Sequence, residues 1–104
     1  MSDNTTKLIT IDQLEEVMNQ NISRKFDADS IDTYGFSINM LCNKVHFDKA
    51  MDGSEYLSII LVNEAGAEVQ IDPEIINNIQ LDNDGLIVLE FTNGLPDLEI
   101  KYRD

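Results

Sequence analysis

The sequence has few of the side chains on which catalysis, metal binding and disulfide bonding depend. Its 104 residues include one cysteine, one histidine and no tryptophan. A single cysteine, Cys42, cannot form an internal disulfide, which is typical of a protein from a reducing compartment. The longest apolar run, Ile59–Val62, is far too short to span a bilayer, and residues 1–7 lack the pattern of a secretory signal. We therefore expect a cytoplasmic protein that is not associated with a membrane.

Basic residues are also scarce, and they are absent from half of the chain. There are 20 acidic and 7 basic side chains, giving a formal charge of -13. No lysine or arginine occurs between Ala50 and Ile100, a stretch that holds eleven acidic residues. Binding to nucleic acid or to an anionic membrane relies on lysine and arginine, so both are disfavoured. The partner that this charge favours is another protein, with a basic surface.

The remaining reactive residues do not form a recognisable catalytic or metal-binding motif. Cys42 and His46 are four residues apart, which would place them on one face of a helix or strand and could support nucleophilic catalysis. Structural zinc needs four ligands, and no second pair exists. Asp27, Asp29 and Asp32 could hold a hard cation, but we expect them on a solvated loop. Phosphate-binding glycine motifs are absent. We predict no enzymatic activity, no cofactor and no metal.

An amphipathic helix is predicted from Ile11 to Gln20. Apolar residues recur there at helical spacing, namely Ile11, Leu14, Val17, Met18 and Ile22. Thr10 is suited to the N-cap position, and Gln13 three residues later completes a capping box.

The segment after the helix is harder to interpret. Residues 23–32 are polar and predict a connection. Residues 31–46 fit two patterns, because Phe36, Ile38, Met40 and Cys42 alternate as in a strand whereas Ile31, Tyr34, Ile38, Leu41 and Val45 follow helical spacing. Gly35 disfavours the helix. We favour the strand, with a kink near Leu41 where the alternation changes phase.

The second half of the chain has the turn signals of an antiparallel sheet. Turns are predicted at Asp52-Gly53, Glu64-Ala65-Gly66, Asp82–Gly85 and Asn93-Gly94, between apolar segments. Asp72-Pro73-Glu74 predicts a helical turn. Residues 1–7 are expected to be flexible, and residues 8–104 to form one small α+β domain. In that domain the N-terminal helix would pack on a meander-like antiparallel sheet of five to six strands.

The distribution of charge suggests a function in protein binding. Acidic surfaces steer proteins toward basic grooves, as in inhibitors that imitate the phosphates of DNA and in immunity proteins that neutralise nucleases. The comparison with these proteins rests on electrostatics and not on a shared sequence motif. We expect a non-enzymatic module that blocks a basic, nucleic-acid-handling partner through six acidic residues, Glu64, Glu68, Asp72, Glu74, Asp82 and Asp84. The alternative is an assembly subunit of phage or mobile-element origin that associates through a sheet edge, with Leu98–Arg103 as the candidate edge.

Overall fold

The computed structural model describes residues 6–31, 37–92 and 94–103. These residues form an α-helix, a short 3-10 helix and eight strands. In chain order the elements are β1 (Lys7–Leu8), α1 (Ile11–Gln20), β2 (Phe26–Ile31), β3 (Ser37–Lys49), β4 (Tyr56–Asn63), β5 (Glu68–Ile71), the 3-10 helix (Pro73–Ile75), β6 (Ile76–Leu81), β7 (Ile87–Phe91) and β8 (Leu98–Tyr102). Residues 1–5 of the expected flexible N-terminus, and Asp32 of the expected acidic loop, lie outside the described residues. None of the described helices is long and apolar enough to cross a membrane.

The predicted helix is confirmed at its expected bounds. The Thr10 hydroxyl accepts a hydrogen bond from the Gln13 N–H (3.1 Å), and the Gln13 side chain accepts one from the Thr10 N–H (2.9 Å). This capping box satisfies two N–H groups that a helix start leaves without helical partners. Leu14 and Met18 are fully buried and belong to the same core as the apolar residues of the sheet.

Polar contacts hold the first half of α1 to the hairpin between β3 and β4. The Tyr56 hydroxyl lies 2.6 Å from a carboxylate oxygen of Asp12 and 2.7 Å from one of Glu15. Lys49 Nζ lies 2.9 Å from the same Glu15 carboxylate. Burial, followed by the two carboxylate contacts, raises the pKa of Tyr56, and the Lys49 hydrogen bond lowers the pKa of Glu15. The helix is therefore held in position by these polar contacts as well as by its apolar face.

The antiparallel sheet is confirmed, but it has eight strands and the prediction of five to six is wrong. The order is β1-β6-β7-β8-β2-β3-β4-β5, so two meanders, β2–β5 and β6–β8, are joined where β2 pairs with β8. The prediction of a connection at residues 23–32 is also wrong, because β2 occupies most of it and lies in the middle of the sheet. Phe26 and Ala28 on β2 are buried while Asp27 and Asp29 lie on the opposite face.

The connection between β5 and β6 requires the sheet to curl. These two strands are consecutive in the chain but six strand positions apart in the sheet. A flat sheet would separate them by about 29 Å, at about 4.8 Å per position. Residues 72–75 alone connect them, and five Cα steps reach at most about 18 Å. The sheet therefore curves until its two ends approach each other, and the core lies inside the curve.

The predicted change of phase on β3 is a β-bulge. The register with β4 shifts between Cys42 and Lys44, close to the predicted kink at Leu41. Before the bulge Cys42 faces the core, and after it Val45 and Phe47 do. The segment is a strand from Ser37 onward, as favoured, and the helical alternative is wrong for residues 37–46.

Turn chemistry accounts for the hairpin connections. Gly53, Gly66 and Gly85 lie in three of the four predicted turns with φ of +73°, +91° and +86°. In the fourth, Gly94 has φ of +78°, and Asn93 lies outside the described residues. A side chain is strained in that region, so glycine fits there. The predicted helical turn is the 3-10 helix, in which the Asp72 side chain accepts the Glu74 N–H (3.0 Å) and Pro73 takes the first position.

Candidate functional site

The six acidic residues predicted from the sequence lie in or directly beside three separate connections. Glu64 and Glu68 flank the β4–β5 turn, Asp72 and Glu74 belong to the 3-10 helix, and Asp82 and Asp84 lie in the β6–β7 turn. The whole length of β6 separates the second pair from the third, so the structure brings these residues together as pairs and not as one patch.

Several of these six residues also have a structural role. Glu64 forms an ion pair with Lys25. The Asp72 carboxylate caps the 3-10 helix. The Asp82 carboxylate accepts the N–H groups of Asp84 (2.8 Å) and Leu86 (3.0 Å), which holds the β6–β7 turn closed.

A different set of acidic residues meets on the outer face of β2 and β8. Asp29 on β2 is paired directly with Glu99 on β8, and its other neighbour across the sheet is Asn39 on β3. Asp97 lies just before β8. We call the concavity that they form the acidic groove; it measures about 420 Å³ and its described lining is Asp29, Ser37, Ile38, Asn39, Asp97 and Glu99.

The acidic groove holds three carboxylates, and a described cation, Lys101, lies diagonally across from Asp29 by strand register but outside the groove lining. The Asn39 side-chain amide donates to Asp29, but no lysine, arginine or histidine is among the described residues that line the groove. Two like charges on directly opposed residues repel each other and destabilise a sheet. The groove therefore holds an unfavourable arrangement that a positively charged ligand would relieve.

The neighbouring position on the same two strands shows the opposite arrangement. Two residues before Asp29, Asp27 is paired across the sheet with Lys101. The Arg103 guanidinium also binds Asp27 through two hydrogen bonds of 2.8 and 2.9 Å. The Arg103 hydrogen bonds hold the pKa of Asp27 below its ordinary value. Asp27 on β2 is therefore ion-paired, whereas Asp29 forms no ion pair with the lysine and arginine residues that the structure describes.

A second concavity, which we call the apolar cavity, opens beside the acidic groove. Its volume is about 330 Å³. Six strands, β2, β3, β4, β5, β7 and β8, and the segments that precede β6 and β8 line it. The lining residues are Ala28, Ser30, Ile38, Met40, Leu61, Val69, Gln70, Ile71, Asp72, Ile75, Phe91, Leu95, Pro96 and Leu98. Ile38 belongs to both concavities and is 67% exposed, and Leu95 is 50% exposed. The groove, on the outer face of the sheet, and the cavity, on its core side, therefore meet at Ile38.

The helix lies away from the apolar cavity. Met18 at the end of α1 shares a concavity with Phe26 at the start of β2 and Tyr102 at the end of β8. The apolar cavity instead contacts the last part of β2 and the first residue of β8, Leu98. Helix and cavity therefore occupy opposite ends of these two strands, and the helix leaves the cavity open.

The Cys42–His46 pair is not assembled. The bulge after Cys42 reverses the alternation, so Cys42 is completely buried while His46 is exposed beyond it. Burial, and secondarily the charge of Asp27, raises the pKa of the Cys42 thiol to about 11. A buried thiol with a raised pKa is a poor nucleophile. The expectation that the two residues share a face is wrong because it assumed a regular strand.

The expected acidic loop is not a loop in the described region. Asp27 and Asp29 lie on β2, on the outer face of the sheet, and their carboxylates contact Arg103 and Asn39 respectively. Among the described residues, no three histidine, cysteine or carboxylate side chains are grouped in a way that could hold a metal ion.

Comparison with known proteins gives no relative from which a function could be transferred. No protein-family model matches the chain, and neither the curated proteins nor the solved structures that were searched contain a significant match. The acidic groove and the apolar cavity therefore have to be interpreted from their own chemistry. Sequence analysis did not find them, because Asp29 and Glu99 are seventy positions apart and only the strand order pairs them.

Proposed function

We propose that this protein is a non-enzymatic module that binds a basic segment of another protein on the joint surface of the acidic groove and the apolar cavity. The observation that carries the proposal is the contact between the two concavities at Ile38. Three carboxylates lie on one side of it, and an apolar cavity lies on the other. A partner with lysine or arginine beside an apolar side chain would complement both parts.

Charge and burial contribute differently to such binding. The carboxylates of Asp29, Asp97 and Glu99, together with the formal charge of -13, would steer a basic partner and raise its association rate. Apolar side chains of the partner that move out of water and into the cavity would contribute binding affinity that salt does not screen. We expect salt to reduce the association rate strongly and the dissociation rate only slightly.

The biological role that this binding fits is to block the activity of the partner protein. A partner that handles nucleic acid has a basic surface which an acidic protein can occupy in place of phosphates. The single, buried cysteine suits a reducing compartment, so we place this role in the cytoplasm. Inhibition or immunity against such a partner is therefore our proposed function.

The test compares two variants of equal charge. Asp29→Asn combined with Glu99→Gln, the groove variant, removes two charges from the acidic groove. Glu68→Gln combined with Glu74→Gln, the turn variant, removes two of the acidic charges in or beside the connections. Each tagged variant is used to capture partners from a lysate of the source organism at about 50 mM and about 500 mM salt, which span weak and strong screening. Captured proteins are identified by mass spectrometry and measured again in purified form.

We expect a basic partner that the wild type and the turn variant retain at low salt and that the groove variant loses. Association of the purified partner should slow as the salt concentration rises. A partner that the groove variant retains as well as the wild type does would contradict the proposal. Loss with the turn variant alone would move the binding site to the residues predicted from the sequence.

A second candidate function, assembly through a sheet edge, keeps one structural observation in its favour. In the described sheet β5 is an end strand, so one side of Glu68–Ile71 has no strand partner there. The candidate edge at Leu98–Arg103 is wrong, because β8 pairs with both β2 and β7. Sedimentation velocity tests this function: self-association at high salt would favour assembly, and a monomer at every concentration would exclude it.

A further inference from the structure

One side of the first part of β3 has no strand beside it. The strand pairs with β2 from Ser37 to Cys42 and with β4 from Cys42 to Lys49. Because β4 ends at Asn63, opposite Cys42, no described strand continues alongside Ser37–Leu41 on the β4 side. We call this vacant position the β3 lane. Its five residues span about 17 Å.

The backbone of the β3 lane has hydrogen-bonding groups directed outward. The side-chain amide of Asn63 donates to the Leu41 carbonyl oxygen (2.9 Å), which shows that the backbone groups of Leu41 point toward the β4 side. In an antiparallel sheet the N–H and C=O of every second residue point to the same side. The groups of Asn39 and Ser37 therefore point into the lane, and those of Ile38 and Met40 point to β2.

Side chains on the two faces of the lane differ in chemistry. Met40 lines only the apolar cavity, Ser37 and Asn39 line only the acidic groove, and Ile38 lines both. Successive side chains of a strand point to opposite faces. A strand in the β3 lane would thus present alternate side chains to the face of the cavity and to the face of the groove. Asp29 on β2 would lie two strand positions away, about 10 Å, which a lysine or arginine side chain can span.

We propose that the partner segment binds as an added β-strand in the β3 lane, with apolar residues facing the cavity and lysine or arginine residues facing the groove at alternate positions. This inference rests on the proposed function and specifies its mode of recognition. Backbone hydrogen bonds to Asn39 and Ser37 would hold the segment, and the alternation of apolar and basic side chains would select it.

The first test uses synthetic peptides as probes. An acetylated and amidated hexapeptide that alternates valine and lysine is titrated into the isotope-labelled protein and followed by NMR. A peptide of the same composition, with three lysines followed by three valines, is the control. We expect the alternating peptide to bind at least fivefold more tightly and to move the amide proton signals of Asn39 and Ser37 downfield, as new hydrogen bonds would.

A matched pair of variants tests the backbone contact. Asn39→Pro removes the N–H that points into the lane without removing a bond to β2, whereas Asn39→Ala removes the same side chain and keeps that N–H. We expect the proline variant to bind the alternating peptide about fivefold more weakly than the alanine variant, the effect of losing one backbone hydrogen bond. Equal binding by the two variants would overturn strand addition.

Backbone methylation of the peptide makes the result independent of how well the proline variant folds. Two versions of the alternating peptide are methylated on the backbone nitrogens of either the lysines or the valines. Only one set of these nitrogens faces β3 in an added strand, so one version should lose binding and the other should keep it. Equal effects of the two versions would overturn the inference.

Failure of this inference can be distinguished from failure of the proposed function. If the alternating peptide does not bind, or binds without involving Asn39, strand addition is wrong. The proposed function then still stands provided that the natural partner is lost from the Asp29→Asn, Glu99→Gln variant. If that variant retains the partner, the proposed function fails whatever the peptides do.

Discussion

Glu99→Gln is expected to stabilise the fold, because it removes the repulsion between Glu99 and Asp29. Residues that are directly opposed on neighbouring strands have Cβ atoms about 5 Å apart, so the two carboxylates lie roughly 6 Å from each other. At this distance two exposed charges repel by about 0.7 kcal/mol in water. About 0.6 kcal/mol remains at about 10 mM salt, and about 0.2 kcal/mol at about 500 mM, where the Debye length is near 4 Å.

The assay is equilibrium unfolding in urea at both salt concentrations. With a denaturant slope of about 1.2 kcal/mol per molar, the midpoint of Glu99→Gln should rise by about 0.5 M at low salt. Glu68→Gln is the control, since it removes the same charge from a residue that is paired with uncharged Val62. Any general relief of self-repulsion is shared by both variants, so the difference between them measures the Asp29–Glu99 pair.

Two results would refute this reasoning. If Glu99→Gln is no more stable than Glu68→Gln at low salt, the pair does not repel in the folded protein. If the difference between the two variants is the same at both salt concentrations, its origin is not electrostatic. Either result would also remove the argument that the acidic groove needs a cationic ligand.

Three further predictions concern the core and its ionisable groups. The Arg103 hydrogen bonds lower the pKa of Asp27 in the folded state, so this carboxylate stabilises the fold above its unfolded pKa of about 3.9, and the contribution is lost as the pH falls; urea midpoints measured from neutral to acidic pH should fall less steeply for Asp27→Asn. Cys42 should react with a thiol reagent only when urea opens the core, and rapid stoichiometric labelling of the native protein would contradict its burial. Leu14→Ala should cost about 2–5 kcal/mol of unfolding free energy, whereas Ile22→Ala, at a residue that is 74% exposed, should cost little; equal losses would mean that α1 does not pack as described.

Local structure was predictable where the deciding interactions are local. The capping box of Thr10 and Gln13 and the turn at Gly53 depend on residues a few positions apart, and both are found as predicted. The phase change of β3 was also visible in the sequence as broken alternation. Its consequence for Cys42 and His46 was missed, because the spacing argument assumed that the strand stayed regular through the bulge at Asn43.

Strand β2 was not predicted from the sequence, because its residues include types that disfavour a β-strand. Aspartate is unfavourable in strands, and Asp27 and Asp29 occupy two of its six positions. The period-two alternation with buried Phe26 and Ala28 was the signal that could have identified it. Contacts distant in sequence stabilise it, among them the ion pair of Asp27 with Arg103, and propensity scales do not contain them.

The site depends on strand order, which single-residue patterns do not encode. Asp29 meets Glu99 only because β2 pairs with β8, the junction between the two meanders. The apolar cavity likewise requires the sheet to curl, which the short connection between β5 and β6 imposes. Identification of the six turn acids relied on composition alone, and whether they bind a partner stays a prediction that the Glu68→Gln, Glu74→Gln variant tests.

Two features that are unfavourable for the stability of the sheet occur near the same end of β3. A directly opposed carboxylate pair weakens the sheet at Asp29 and Glu99, and the β3 lane leaves outward-pointing backbone groups without a described strand partner. Edge groups of this kind are usually protected, since they invite pairing with other chains. One repulsive pair on a chain of charge -13 would need no explanation. The carboxylate pair and the vacant β3 lane occur together, beside an apolar cavity. This combination favours a binding surface, since one extended basic segment could satisfy the charges, the backbone groups and the cavity at once.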